Sequence, residues 1–265
     1  MLTFRASNLS EKKGCNVNTL PNCVFDLDGT IITNGAPLEP QLAQSIVQLM
    51  QSHRVIFASA RPVRDMLPLL PAELKSCLMI GCNGGMAWQA GDCLFSSQFD
   101  AQYADLIITF LQQRQVPYVL DGPWSFSTSR LAHPFHDYMR SLSQHEIEES
   151  RLIGQGVVKI LILDGAFRSE FDAFLAAQQL TFTLYHHRHD NVFDISPRIE
   201  SKYLALQRLD VDMSRTVAFG NDSNDFEMLR HANRSVFIGE RDYFAEATHY
   251  SSTAALPALL AQLVA

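Results

Sequence analysis

The stretch Asn22-Cys-Val-Phe-Asp-Leu-Asp-Gly-Thr-Ile-Ile-Thr33 ends an apolar run on two carboxylates that stand two residues apart. Residues 23–27 read as a short buried strand, and Asp28-Gly29 as the turn that follows it. Two acids side by side would repel strongly in a dry core. In an open α/β sheet, however, the carboxyl ends of the strands converge on one crevice where ligands bind. Asp26 and Asp28 are therefore expected at the edge of a site, where a cation offsets their repulsion; all-oxygen ligands favour a hard ion such as Mg2+. The plainer alternative is a pair of acidic turn residues that cap the next helix.

Outward from this stretch, short runs rich in β-branched residues alternate with helical patterns. The runs are 23–27, 54–59, 78–81 and 216–220. Between the first two, Leu42, Ile46, Leu49 and Met50 recur at helical spacing, and Phe226, Met228 and Leu229 open another helix after the last. This alternation predicts a doubly wound parallel sheet, Rossmann-like in class. The middle third differs. A helix pattern at 103–114, the run 118–120, a polar stretch at 122–136, a strand-like 157–163, a helix pattern at 169–179 and strand candidates at 181–185 and 192–195 suggest a separate α+β layer. The expected division is a polar tail at 1–21, a core of 22–86 and 196–265, and an inserted cap of 87–195.

The 265 residues are 47% hydrophobic, enough for a large core, and carry a net charge of −7 with no basic block. That excludes a binder of phosphate backbones, which needs clustered Lys and Arg. Five cysteines, Cys15, Cys23, Cys77, Cys82 and Cys93, form no C-x-x-C pair and read as small buried apolar residues in a reducing compartment. No apolar leader opens the chain, so a cytoplasmic protein without membrane contact is expected. Nothing marks a large apolar patch, which leaves a monomer or weak homodimer. The run Tyr185-His-His-Arg-His-Asp190 matches no zinc spacing and reads as loop or surface.

The other strand ends carry matching chemistry. Phe57-Ala-Ser-Ala-Arg61 offers the Ser59 hydroxyl with Arg61 behind it. Gly81-Cys-Asn-Gly-Gly85 offers Asn83 and Gly84 in a glycine-rich turn. Gly220-Asn-Asp-Ser-Asn-Asp225 offers carboxylates and amides, and Lys202 stands ahead of a helical pattern. Together they form an anion-binding kit around one nucleophilic carboxylate.

In this order, D-x-D-G-T, S-x-R, N-G, a late Lys and G-N-D-x-N-D, the sequence resembles the haloacid dehalogenase superfamily of phosphohydrolases. It is most similar to the Cof-type subgroup, with its α/β cap inserted between the second and third motifs. The resemblance implies that Asp26 is a nucleophile forming an aspartyl-phosphate and that Asp28 is the acid and later the base. It further implies that Ser59 and Lys202 bind phosphoryl oxygens, and that Arg61, Asn83, Gly84 and Asn224 line the phosphate or substrate. Mg2+ would be held by Asp26, the Asp28 carbonyl and the last motif, with Asn221, Asp222 and Asp225 as its candidates. Two positions depart from the pattern: Asn221 stands where many relatives have Asp, and Tyr203 where many have Gly. The implied activity is Mg2+-dependent hydrolysis of small phosphorylated metabolites such as sugar phosphates. The alternatives are a phosphohexomutase-like transfer or a phosphometabolite-binding protein without turnover. Trp124, Arg130, His133, His136 and Arg188 are cap residues within possible reach of a substrate.

Overall fold

The computed structural model describes residues 20–186, 191–198 and 200–264; the expected tail lies outside them, apart from residues 20 and 21, and so does most of the His-rich run. In chain order the strands are β1 (Asn22–Phe25), β2 (Arg54–Ala58), β3 (Leu78–Gly81), β4 (Met86–Gln89), β5 (Asp92–Ser96), β6 (Tyr118–Asp121), β7 (Phe126–Thr128), β8 (Lys159–Ile162), β9 (Thr183–His186), β10 (Phe193–Ser196), β11 (Thr216–Gly220), β12 (Arg234–Ile238) and β13 (His249–Ser251). The helices are α1 (Pro40–Leu49), α2 (Val63–Met66), α3 (Ala101–Gln113), α4 (Pro134–Leu142), α5 (Glu149–Gln155), α6 (Arg168–Ala177), α7 (Lys202–Arg208), α8 (Phe226–His231) and α9 (Leu256–Val264).

The first sheet runs β13-β12-β11-β1-β2-β3-β4-β5. Its first six strands are parallel, and β4 and β5 join antiparallel. All four residues of β1 are buried, as a central strand covered on both faces requires. Alternation divides them. Cys23 and Phe25 face a cluster that includes Leu42, Ile46 and Leu49 of α1 and Leu256 and Leu260 of α9, while Val24 faces Ala205, Leu206, Met228 and Leu229 of α7 and α8. Phe25 stacks on Phe219 of β11 with ring centroids 4.5 Å apart. The helix α1 begins where Pro40 sets its first turn and the Glu39 carboxylate accepts from Leu42 N–H at 3.0 Å. The connections reverse direction between β1 and β11, so the loops after these two strands open a crevice at the switch point.

The second sheet, β7-β6-β8-β10-β9, is antiparallel throughout. One face packs Tyr118, Leu120, Ile160, Ile162, Phe193 and Ile195 against Ile107 and Leu111 of α3 and Phe171 and Leu175 of α6. Val119, Leu161 and Phe126 lie in a smaller apolar cluster with Met139 of α4, and among these strands stand the buried charges Asp121, Lys159 and Asp194. These meet Arg64 of α2, which is buried with its Nη1 donating to the Trp124 and Ser125 carbonyls at 3.3 and 3.1 Å and its Nη2 bonded to Asp121. Lys159 Nζ lies 3.3 Å from Asp121 and donates to the Ala60 carbonyl at 3.2 Å.

Three sequence expectations change here. The boundary expected at 86/87 moves to after Ser96, because β4 and β5 continue the first sheet as a hairpin. Its turn, Ala90-Gly91, holds both residues at positive φ, which an Ala rarely adopts and which therefore gave no turn signal. The polar stretch 122–136 contains β7 and the start of α4. Cys93 is exposed on β5, unlike the buried Cys23, Cys77 and Cys82. Among the described residues no helix is long and apolar enough to cross a membrane.

Candidate active site

Asp26 directly follows β1, and its N–H donates to Phe219 O of β11 at 2.9 Å, which fixes the residue between the two strands that border the crevice. Its carboxylate is almost wholly buried. Lys202 Nζ donates to Asp26 Oδ1 at 2.5 Å and to Asp225 Oδ1 at 2.7 Å, and Thr30 Oγ1 donates to Asp26 Oδ2 at 2.8 Å. Lys202 itself is fully buried. A buried ammonium is tolerated only when paired, and here two carboxylates share it. Burial pulls the lysine down, but Asp225 and Asp26 outweigh it and hold Lys202 above its ordinary value. Burial pushes the Asp26 carboxyl up to about 7, with repulsion from Asp225 adding to it and the Lys202 and Thr30 contacts opposing it.

Lys202 opens α7, whose first turn is capped by Ser201: the Ser201 hydroxyl accepts from Leu204 N–H at 3.1 Å and is bonded to the Glu227 carboxylate. The loop after β3 packs directly on this cap. Cys82, Asn83 and Gly84 all have positive φ, a run of left-handed backbone of the sort that concentrates at functional sites. Gly84 has φ +105°, and a Cβ there would stand 2.3 Å from Ser201 O. Gly84 therefore serves a close backbone approach. Asn83 N–H donates to Ser59 O and Cys82 N–H to Arg61 O, both at 2.9 Å, which ties this loop to the one after β2. Asn83 Oδ1 accepts from Asn224 at 2.9 Å, while its buried Nδ2 has no hydrogen-bond partner among the described residues. An orphaned buried donor beside Ser59 is a ready partner for an acceptor in the crevice.

Asp28 is half-exposed. Arg61 grips its carboxylate with two bonds, Nε to Oδ2 at 2.6 Å and Nη2 to Oδ1 at 2.8 Å. The third guanidinium nitrogen donates to the Tyr138 hydroxyl of α4 at 3.1 Å. A Cβ on Gly35 would lie 3.0 Å from the same hydroxyl. The second sheet's layer thus reaches the mouth of the site through Tyr138. Ser59 is buried, and its hydroxyl accepts from Arg61 N–H at 3.1 Å.

Of the residues expected around a cation, Asp26, Asp28 and Asn221 come together. Asp26 Oδ2, the Asp28 carbonyl and Thr30 Oγ1 surround one terminal atom of the Asn221 amide at 3.1, 3.0 and 3.0 Å. A carboxylate, a carbonyl and an amide are hard oxygen donors, a set suited to a magnesium-like ion. The Asp28 side chain is turned to Arg61 instead. Asp225 and Asp222, also expected around the cation, meet other partners. Asp225 Oδ2 accepts from Asn221 and Asp222 N–H at 2.9 and 3.2 Å, and Asp222 accepts from Ser223 N–H at 2.7 Å and from the Tyr243 hydroxyl at 2.6 Å. Both acids brace the loop after β11. Among the described residues no three His, Cys, Asp or Glu side chains gather as a metal cluster.

Tyr203 turns away from the site and stacks on His231 at 3.9 Å. The named cap residues that are described have other partners or face outward. Trp124 packs on Trp88, His133 caps α4 by accepting from Phe135 N–H, His136 bonds the Tyr118 carbonyl and Arg130 is exposed; Arg188 lies outside the described residues. Sequence reasoning missed Thr30, although it belongs to the D-x-D-G-T run, and Tyr138, for which no local signal exists.

Comparison with known proteins gives a consistent picture. The sequence model of a family described as haloacid dehalogenase-like hydrolase matches residues 23–250. The Bacillus subtilis (strain 168) protein named "Putative phosphatase YkrA" is 22% identical over 218 residues, covering 81% of this chain and 84% of that one. The structure of TM0651 from Thermotoga maritima superposes with a TM-score of 0.77 at 17% identity, over 92% of this chain and 97% of that one. BT4131, described as a HAD subclass IIB sugar phosphatase, gives a TM-score of 0.70 at 14% identity, over 91% and 97%. At these identities the structures speak for the fold alone.

Proposed function

This chain belongs to the haloacid dehalogenase-like hydrolase family, and from that premise we propose that it is a Mg2+-dependent phosphomonoester hydrolase acting on small phosphorylated metabolites, sugar phosphates foremost. The observation that carries the reading is the Asp26 carboxylate, held at the switch point by a fully buried Lys202 on one oxygen and by Thr30 on the other. A sensor of phosphate esters has no need of a nucleophile so equipped.

In this mechanism Asp26 attacks phosphorus, the ester P–O bond breaks, and Asp28, parted from Arg61 by the substrate and carrying a proton taken from solvent, gives that proton to the leaving alkoxide. A water then loses its proton to Asp28 and attacks the phosphorus, breaking the bond to Asp26 and releasing inorganic phosphate. Asp28 is half-exposed, so water reaches it, which favours hydrolysis over transfer to a second sugar position. Lys202 and the Asn83 amide offset and orient the phosphoryl oxygens, and Ser59 is placed to do the same. A divalent cation at Asp26, the Asp28 carbonyl and Asn221 would neutralise phosphoryl charge when bound. Arg61 and Tyr138 stand where the leaving group would lie, a position suited to a polar, hydroxyl-rich moiety. A layer of this kind beside the site suits small substrates better than proteins.

The test is phosphate release from an aryl phosphate and from a panel of sugar, nucleotide and cofactor phosphates, with and without Mg2+. Wild type is expected to turn over with the metal, and Asp26→Asn to lose at least about 10³-fold in kcat. Equal turnover by Asp26→Asn would remove the nucleophile from Asp26, and no turnover of any ester would end the hydrolase reading.

A further inference from the structure

Asp28, Arg61 and Tyr138 lie where the site opens to solvent: the Asp28 side chain is 44% exposed and that of Arg61 16%. Arg61 holds Asp28 with Nε and Nη2 side by side, at 2.6 and 2.8 Å, the two-pronged pairing of a guanidinium with a carboxylate. Its Nη1 donates to the Tyr138 hydroxyl at 3.1 Å. These bonds use one proton on each of the three guanidinium nitrogens and leave one on each Nη. Among the described residues no acceptor meets those two protons, nor the proton of the Tyr138 hydroxyl, whose oxygen has already accepted. What the pair still offers is therefore donors alone. Gly35 keeps the approach to them clear, since a Cβ there would stand 3.0 Å from the Tyr138 hydroxyl and 3.7 Å from Arg61 Nη2. A neutral hydroxyl placed here would leave its own proton without a partner, whereas a carboxylate accepts at both oxygens.

We propose that Arg61 and Tyr138 form a receptor for a carboxylate on the leaving alcohol, so that the preferred ester is a phosphorylated hydroxy acid or sugar acid rather than the phosphate of a neutral sugar. Asp28 displays the fit, being itself a carboxylate held by this guanidinium. The reaction proposed above parts Asp28 from Arg61 and brings it to the leaving oxygen. A substrate carboxylate has the shape and charge to take the vacated place, so the largely buried guanidinium keeps a counter-charge throughout. The ester oxygen and the guanidinium both lie within reach of Asp28, so only a few carbons separate the carboxylate from the ester. Tyr138 reaches the site from α4, in the layer of the second sheet, and selection thus depends on a residue outside the crevice motifs. The inference rests on the hydrolase reading and narrows its substrate class.

Matched pairs of esters test it: phosphoglycolate against the monophosphate of ethylene glycol, and phosphogluconate against glucose phosphorylated on the same carbon, each with Mg2+. Wild type is expected to favour the acid in at least one pair by about tenfold or more in kcat/KM, chiefly through KM. Tyr138→Phe removes one donor and Arg61→Lys removes the paired prongs while keeping the charge; each is expected to shrink that preference about threefold or more. A general attraction of the site for negative charge would leave the preference intact in both variants. Equal kcat/KM within both pairs, or a preference that neither variant changes, would overturn the inference and leave the hydrolase standing. Calorimetric titration of wild type and of Asp26→Asn with the same pairs reads binding apart from turnover. Tighter binding of the acid supports the receptor, and equal binding overturns it. If wild type hydrolyses none of the four esters, nor any ester of the wider panel, the hydrolase reading fails and calorimetry alone decides the receptor; if none of the four binds either, both fall.

Discussion

Thr30 shows how much of the site depends on a single hydroxyl. It is fully buried, it holds the second oxygen of Asp26, and it borders the Asn221 amide. Thr30→Val keeps the shape and removes the donor, so it is expected to cost about 0.5–1.5 kcal/mol of stability in denaturant unfolding. It should also lower kcat about tenfold or more, since the carboxylate loses its orientation. A variant with unchanged kcat would show that Lys202 alone fixes Asp26. That Asp26, Asp28, Ser59, Lys202 and Asn221 belong to neighbouring segments around one crevice was legible in the sequence. Strand ends announce themselves by the break from apolar run to polar turn, and four such breaks with a lysine before the last of them leave little freedom. The part of the Asp28 carbonyl was among the expectations; the other partners of these acids were not legible. The Asp28 side chain pairs with Arg61, and Asp225 serves Lys202 and two backbone N–H groups. A pattern of residue types does not distinguish a carboxylate that binds an ion from one that braces a loop.

At the scale of elements, the approach of the loop after β3 to the first turn of α7 sets the position of Lys202. Gly84→Ala introduces a Cβ 2.3 Å from Ser201 O, a backbone atom that cannot turn aside, at a φ of +105°. The expected outcome is a loss of about 2–4 kcal/mol in stability, with activity reduced beyond what the lost folded fraction explains because α7 is displaced. An alanine variant with wild-type melting and turnover would mean that the loop and helix are not coupled. The parallel strands β1, β2, β3 and β11 fell close to their sequence expectations because buried runs bounded by turn residues are distinctive. The hairpin β4–β5 did not, since its turn is Ala-Gly and its outer strand carries the exposed Cys93 and Leu94. The short β7 was hidden because its three residues, Phe-Ser-Thr, sit in a polar stretch too brief to show alternation.

Across the whole molecule, the two layers are joined by a buried charge cluster of Arg64, Asp65, Asp121, Lys159 and Asp194. Within it Arg64 Nη2 donates to Asp65 Oδ2 at 3.2 Å, while Arg64 Nε lies 3.2 Å from Asp65 Oδ1 without the alignment of a hydrogen bond, so only one oxygen of Asp65 is hydrogen-bonded to the arginine. Burial pushes the Asp65 carboxyl up to about 6, with Asp121 adding to the rise and Arg64 opposing it. Below the ordinary carboxylate value, near pH 4, Asp65 is protonated in folded and unfolded chains alike. Between about pH 4 and 6 the unfolded chain releases the proton that the folded chain keeps, so this residue makes stability fall as pH rises through that window. Asp65→Asn has no proton to release, and its stability relative to wild type should improve from pH 4 to 6 by about 1–3 kcal/mol. Urea unfolding of the two proteins across this range checks it, and parallel profiles would refute it. None of this cluster was legible in the sequence, because charged residues on short strands look like any solvated face until a second layer covers them. The position of β1 has a further consequence, in time. One neighbour, β2, follows within a few dozen residues, but the other pairs Asn22 with Thr216, 194 residues downstream. During synthesis one edge of β1 stays open while the second sheet and its helices emerge, and Asp26 meets Lys202 and the support of Asp225 only once residues 202–225 have followed. The Asp26 carboxylate is made well before the residues that complete its surroundings.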